Sequence, residues 1–202
     1  MTASTLISLL LFSIVMSITP GPNNLLLTAS GLAHGFRRTL FPIAGTLAGL
    51  GTVFLLSGLG VGALIAADPR AELLLRIGGA AYLAYLAWKL WQATSLGEAS
   101  AKKPLTFVEV AVFQLANPKA WMMAISAIGI YVAPAIDYAV RLLVVTAIFL
   151  LVSIPSLAIW AGLGAIMKAV LRDDRRYRPF SRGMALLTAA TALLVLWVRM
   201  EP

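Results

Sequence analysis

Charged side chains fall in short clusters along this chain and leave long apolar blocks between them. Residues 1–33 carry no formal charge, and neither do residues 39–67. A third block, 73–91, holds Arg76 and Lys89 near its ends, where long side chains can snorkel towards water. The fourth, 107–132, carries Glu109 and Lys119; the fifth, 142–167, is uncharged; the last spans 183–198. A helix needs roughly 20 apolar residues to cross the hydrocarbon core. The pattern therefore predicts six transmembrane helices and no soluble domain. The first block is expected to persist as helix one: residues 1–5 lack the basic start of a secretory signal, and the apolar stretch is too long for one.

Two of the six helices are interrupted. Helix one contains Pro20-Gly21-Pro22-Asn23-Asn24 deep in its apolar run, and helix four contains Asn117-Pro118-Lys119 at comparable depth. Each proline removes a backbone donor and crowds the preceding turn, which frees the carbonyls of Met16, Ile18 and Gln114. Beyond each break the chain restarts as a half-helix, with Asn117 and Pro118 a favourable N-cap and N1 pair and Gly21 before Pro22 in the same role. Pro22 and Pro118 are separated by the same interval as Ser30 and Ser126. That alignment predicts two three-helix repeats, residues 1–93 and 106–202, joined by a cytoplasmic linker at 94–105 within one membrane domain. With three helices each, the repeats are inverted relative to one another. Interrupted helices in corresponding positions of inverted halves point to a transporter's binding site.

Composition agrees with a membrane protein: 60% of the 202 residues are hydrophobic and 12% charged, where a soluble domain has about 25% charged residues. The 16 Lys and Arg exceed the 8 Asp and Glu, giving a formal net charge of +8. The placement of these charges gives orientation. Arg37 and Arg38 lie in the first link, Lys102 and Lys103 in the third, and Arg172, Arg175, Arg176, Arg178 and Arg182 in the fifth. The even links and C-terminus hold only Arg70, Arg141 and Arg199. Basic loops stay cytoplasmic, so both termini are expected outside, and the positive excess describes topology with no need of nucleic acid. The fifth-link run also suits anionic lipid headgroups. The absence of cysteine excludes disulfides, thiolate metal sites and thiol catalysis.

The breaks carry a specific chemistry. Half-helix N-termini present positive ends and unpaired N–H groups, and Lys119 adds a full charge that is costly in lipid and is functional or internally paired. Glu109 lies ten residues away, about 15 Å along a helix, so the two do not pair directly. Pro20, Gly21, Pro22, Asn23, Asn24, Asn117, Pro118 and Lys119 thus describe a site for a carboxylate, with freed carbonyls ready for an ammonium group. A zwitterionic amino acid has that pattern, and no cofactor or metal is called for.

Thr19-Pro20-Gly21-Pro22-Asn23, the glycines Gly45, Gly49, Gly58 and Gly60, the run Gly78-Gly79-Ala80-Ala81-Tyr82-Leu83-Ala84-Tyr85-Leu86, and Asn117-Pro118-Lys119-Ala120 occur in this order along nearly the whole chain. In these the sequence resembles the LysE/RhtB family of bacterial amino-acid exporters. The resemblance implies proton-driven export of amino acids or close derivatives across the inner membrane, on an internally duplicated six-helix fold. Asn23-Asn24, His34-Gly35-Phe36-Arg37 and Ala87-Trp88-Lys89 resemble the cysteine/O-acetylserine exporter subgroup. One position departs: many members place an acidic residue directly after a glycine in helix two, where this chain has Leu50.

Other features have plainer explanations. Tyr82, Tyr85, Trp88 and Trp91 recur every three residues and read as packing with an interfacial aromatic anchor. Gly45 with Gly49, and Gly162 with Gly164, permit close helix approach, within one chain or in a homodimer. Pro155 breaks helix five as a kink or hinge, and His34 sits at the cytoplasmic end of helix one. Two other function classes stand against export. A divalent metal-ion transporter of a related broken-helix fold needs clustered hard or nitrogen ligands. This chain has one His, no thiol and no acidic pair inside its helices. A membrane enzyme has no supporting catalytic motif.

Overall fold

The computed structural model describes residues 1–92, 103–132, 136–171 and 174–197, and among them all regular structure is helical. The linker from 94 to 102 (with Lys102), Arg172 and Arg199 lie outside the described residues. The chain begins with α1 (Ala3–Ile18), capped by the Thr2 hydroxyl, which accepts the Thr5 N–H at 3.3 Å. After the first break come α2 (Pro22–His34) and α3 (Phe36–Gly58), separated only by Gly35 at φ +82°. This left-handed conformation costs glycine little. Gly60, at φ +98°, ends the second predicted block early and leaves a separate short helix, α4 (Val61–Ala67). Then follow α5 (Pro69–Gln92), α6 (Phe107–Leu115), α7 (Pro118–Tyr131), α8 (Tyr138–Val170) and α9 (Asp174–Trp197).

Four of these, α3, α5, α8 and α9, are long and apolar enough to cross a membrane. The pair α1 and α2, bent by 53° at the break, makes a fifth crossing if taken as one span. The fourth predicted block appears as α6 and α7, of 9 and 14 residues, each too short to cross alone where roughly 20 are needed.

Three local expectations are corrected. Pro155 does not break its helix; α8 runs through it for 33 residues, since a long membrane helix tolerates one missing N–H. The run Arg175, Arg176, Arg178 and Arg182 is helical, occupying the first turns of α9 rather than a loop. Arg76 does not snorkel: it is buried, and its Nε donates to the Val195 carbonyl at 3.0 Å.

Packing follows a crosswise rule. The α1–α2 pair lies against α8, the α6–α7 pair lies against α3, and α5 lies against α9. The closest approaches use glycine. A Cβ at Gly164 would collide with the Thr28 carbonyl, and one at Gly31 with the Ala161 carbonyl, so α2 and α8 touch backbone to backbone. Gly45 and Gly49 likewise face the Phe107 and Ala111 carbonyls of α6, while Gly162 faces open space. These small-residue contacts are therefore intramolecular. The main core gathers Phe54, Trp121, Tyr131 and Phe149 between α1, α3, α7 and α8. Leu11, Phe41, Leu151 and Leu193 are more than half exposed, the outward apolar surface that lipid covers and water would not tolerate. Tyr85, Trp88 and Trp91 belong to it, while Tyr82 turns inward to stack on Phe113 at 4.4 Å between centroids.

Candidate functional site

The two breaks meet at the centre of the bundle. The chain leaves α1 at Thr19, passes through Pro20 and an extended Gly21, and restarts with Pro22 at the first helical position. Every carbonyl freed there has a donor. Met16 accepts from the Thr19 hydroxyl at 3.1 Å. Ser17 accepts from Asn24 Nδ2 at 3.0 Å and from the Ser156 hydroxyl at 2.8 Å. Ile18 accepts from the Trp160 indole at 3.3 Å, and Thr19 from Asn24 Nδ2 at 2.9 Å. Lys119 then reaches across from α7, its Nζ donating to both the carbonyl and the hydroxyl of Thr19 at 2.9 Å. The ammonium group anticipated at these carbonyls is the protein's own.

Gly21 is what lets Lys119 arrive. A Cβ there would sit 2.9 Å from Lys119 Cδ and 3.0 Å from its Nζ. The backbone at Gly21 is extended, with φ −166°, so the requirement is for space and not for an unusual conformation.

The second break is closed locally. Ala116 and Asn117 turn back on the Phe113 and Gln114 carbonyls, each at 3.1 Å. Asn117 Oδ1 caps α7 by accepting the Lys119 N–H at 3.1 Å, and the Trp121 indole donates to the Leu115 carbonyl at 2.9 Å. Both half-helix N-termini were expected to be open; only that of α2 is, since Gly21 offers no side-chain cap and the first N–H groups of a helix have no partner within it. A reciprocal amide pair ties the breaks together: Asn23 Nδ2 donates to Gln114 Oε1 at 3.0 Å, and Gln114 Nε2 donates to Asn23 Oδ1 at 2.7 Å.

A cavity of about 30 Å³ lies between these groups. It has room for a water molecule or two. Gly21, Pro22, Asn23, Asn24, Asn117 and Lys119 line it; Pro20 is exposed away from it, and Pro118 packs against α5. Sequence reasoning missed Ser17, Thr46 and Ser153, which add hydroxyls to the wall, and the fully buried Gln114 side chain behind it. A glutamine three residues before Asn117 in an apolar run was the available signal. Ser17 and Ser153 share a hydrogen bond at 3.1 Å, whereas the Thr46 hydroxyl is buried with no partner. Leu50 also lines the cavity, and Lys119 is the one titratable side chain among the lining residues.

The carboxylates lie elsewhere. Glu109 closes a capping box with Thr106 at the start of α6. Asp137, before α8, binds Arg141 at 2.6 Å, and that hydrogen bond holds its carboxyl below the usual carboxylate range.

The family model of the LysE type translocator matches residues 14–197. The chain belongs to that family. Among curated proteins it is similar to the cysteine/O-acetylserine efflux proteins of Escherichia coli (strain K12) and Shigella sonnei (strain Ss046). Each is 28% identical over 176 residues, covering 87% of this chain and 90% of the relative. No solved structure matches. Family membership and the apolar helices make this chain a multi-pass membrane transporter.

Proposed function

We propose that this protein exports a small neutral amino acid or derivative, of the cysteine or O-acetylserine kind, from the cytoplasm across the inner membrane. The observation that carries the reading is the meeting of two broken helices around a small cavity that gathers Lys119 with several hydroxyls and amides, in a chain of the LysE type translocator family. The names of the efflux relatives supply the substrate class. The cavity wall suits it: hydroxyls from Ser17, Thr46 and Ser153, amides from Asn23 and Asn117, and no aromatic ring or acid. The substrate carboxylate would take the open N-terminus of α2 and Lys119, and its polar side chain the unpartnered Thr46 hydroxyl.

In this reading α6 and α7 together form one span, giving six, with two inverted repeats, residues 1–93 and 106–202, and both termini outside. The crosswise packing, in which each broken pair lies on the middle helix of the other half, supports the duplication. Transport then proceeds by alternating access to the site between the two breaks. The proton gradient drives it, and with Leu50 in place of the acid many relatives carry, Lys119 is the group in the cavity able to exchange a proton. Among the described residues no three His, Cys, Asp or Glu side chains gather, so no observation favours the metal-ion alternative.

Counterflow in proteoliposomes tests this directly. Liposomes loaded with O-acetyl-L-serine should accumulate the labelled compound only when they contain the protein. A labelled panel of neutral, basic and acidic amino acids should show preference for small neutral ones. No exchange of any amino acid by correctly inserted protein would overturn the reading.

A further inference from the structure

Two more cavities continue from the central one along a single face of α2. The first, about 60 Å³, is lined in part by Pro22, Leu26, Ala29, Leu86 and Leu90. The second, about 150 Å³, takes in Leu26, Ala29, Ala33, His34, Lys89 and Leu90. Pro22 is common to the central cavity and the first of these; Leu26, Ala29 and Leu90 are common to the two. Pro22, Leu26, Ala29 and Ala33 are spaced by three or four residues, which places them in one stripe along the helix. The three spaces therefore form a row. It runs from the break to the end of α2 that carries His34 and leads into Arg37 and Arg38.

The opposite wall of the row is α5 with α9, and these two helices are fastened to each other along their length. Arg76 binds the Val195 carbonyl, Ala80 and Leu83 interlock with Ala192, and the Ser181 hydroxyl donates to the Leu90 carbonyl at 2.6 Å. The Arg182 guanidinium lies 5.2 Å from the Trp91 ring. Near mid-depth the pair presses on the second break: a Cβ at Gly79 would lie 2.6 Å from Pro118 Cδ and 2.7 Å from the Ala116 carbonyl. Between that contact and the basic end, Leu86 packs with Leu26 in an apolar cluster that includes Val110 and Phe113. The row is thus pinched by leucines in the middle. Its outer end carries two basic side chains, His34 and Lys89, and no acidic one.

We infer that this row is the cytoplasmic access path: an amino-acid zwitterion enters by its carboxylate at His34 and Lys89, Leu26, Leu86 and Leu90 form the gate, and α5 with α9 swings as one body about Gly79 to open it. The inference rests on the export reading and on the orientation proposed with it. The walls of the row are apolar except at its basic outer end, and a dry constriction of this kind excludes both water and the zwitterion until it opens.

The natural absence of cysteine makes cross-linking clean. The Leu26→Cys/Leu90→Cys protein, joined by a short bifunctional thiol reagent that a reductant cleaves, should exchange O-acetyl-L-serine when uncoupled. Cross-linked, it should fall to the protein-free background. An Ala80→Cys/Ala192→Cys cross-link, within the moving body, should leave exchange unchanged. A single Ala29→Cys variant gives an independent measurement. It should react with a membrane-impermeant maleimide in inside-out vesicles only, and O-acetyl-L-serine should slow the reaction. Full exchange by the cross-linked Leu26/Leu90 variant overturns the path while leaving export intact. So does Ala29→Cys labelling that ignores substrate, or that needs a membrane-soluble maleimide; the latter would give the row to lipid chains. If the unmodified protein exchanges nothing while Ala29→Cys is labelled from one face and protected by the compound, export fails and the binding path stands.

Discussion

The two breaks begin from the same chemistry, a proline in an apolar helix, and are completed in opposite ways. The second is closed by its own residues: Asn117 caps α7, its N–H turns back to Gln114, and Trp121 bonds Leu115. The first takes most of its donors from other helices, with Asn24 on α2, Lys119 on α7, and Ser156 and Trp160 on α8. A break satisfied locally keeps its shape when its neighbours move. One satisfied from three directions changes its hydrogen bonding whenever those helices shift, and can offer carbonyls and N–H groups to a ligand at that moment. On the export reading proposed above, the difference makes Asn117 the fixed wall of the site and Thr19 through Asn24 the movable one.

The strongest way to break this comparison is at Lys119. Lys119→Met keeps the chain length and removes both bonds to Thr19, leaving that carbonyl with Asn24 alone. Charge-assisted bonds contribute roughly 1.5–3 kcal/mol each, but burying an ammonium costs much of that back. Thermal stability in detergent should therefore change little, while amino-acid exchange falls to background. Retained exchange would show that the movable wall does not depend on this cation. Gly21→Ala is the gentler version. The added methyl pushes on Lys119 with no backbone strain, at a cost of about 1–3 kcal/mol for overpacking, and should slow exchange several-fold while leaving the second break intact.

Much of the lining of this cavity was legible in the sequence, and the reason the reading was partial is physical. Prolines, asparagines and a lone lysine in apolar blocks mark where backbone groups come free, and six of the eight residues so marked line one cavity. What a linear reading lacks is the identity of the donors that answer those groups. Ser156 and Trp160 lie more than 130 residues from the carbonyls they bond, and serine or tryptophan in a membrane helix is too ordinary to single out. The long helices were legible because apolar length alone specifies them. Gly60 and Pro155 misled in opposite directions for one reason. A left-handed glycine ends a helix at once, whereas a proline inside a long membrane helix need not.

The amide pair tests whether the two walls are coupled. Asn23→Leu leaves the buried Gln114 amide without its partner across the breaks, a loss of about 1–3 kcal/mol, and Gln114→Leu does the same to Asn23. Replacing both should cost less than the sum of the single changes, because neither polar group is then stranded. Measured unfolding midpoints in detergent that add without interaction would show that the pair does not bind the walls together.

The smallest effect is expected at the locally closed break. Asn117→Ala removes the cap on α7, worth about 1 kcal/mol in an ordinary helix, and frees the Gln114 amide from the 3.2 Å bond that Asn117 Nδ2 makes to it. Asn117→Ser should restore the cap, since a hydroxyl can accept the Lys119 N–H from the same position, and with it most of the lost stability. No single local substitution should rescue Lys119→Met in the same way, because the donor it removes comes from across the bundle. If Asn117→Ser fails to recover stability while Asn117→Asp does, the cap acts through charge near Lys119 and not through geometry. The second break would then share the first one's dependence on that cation.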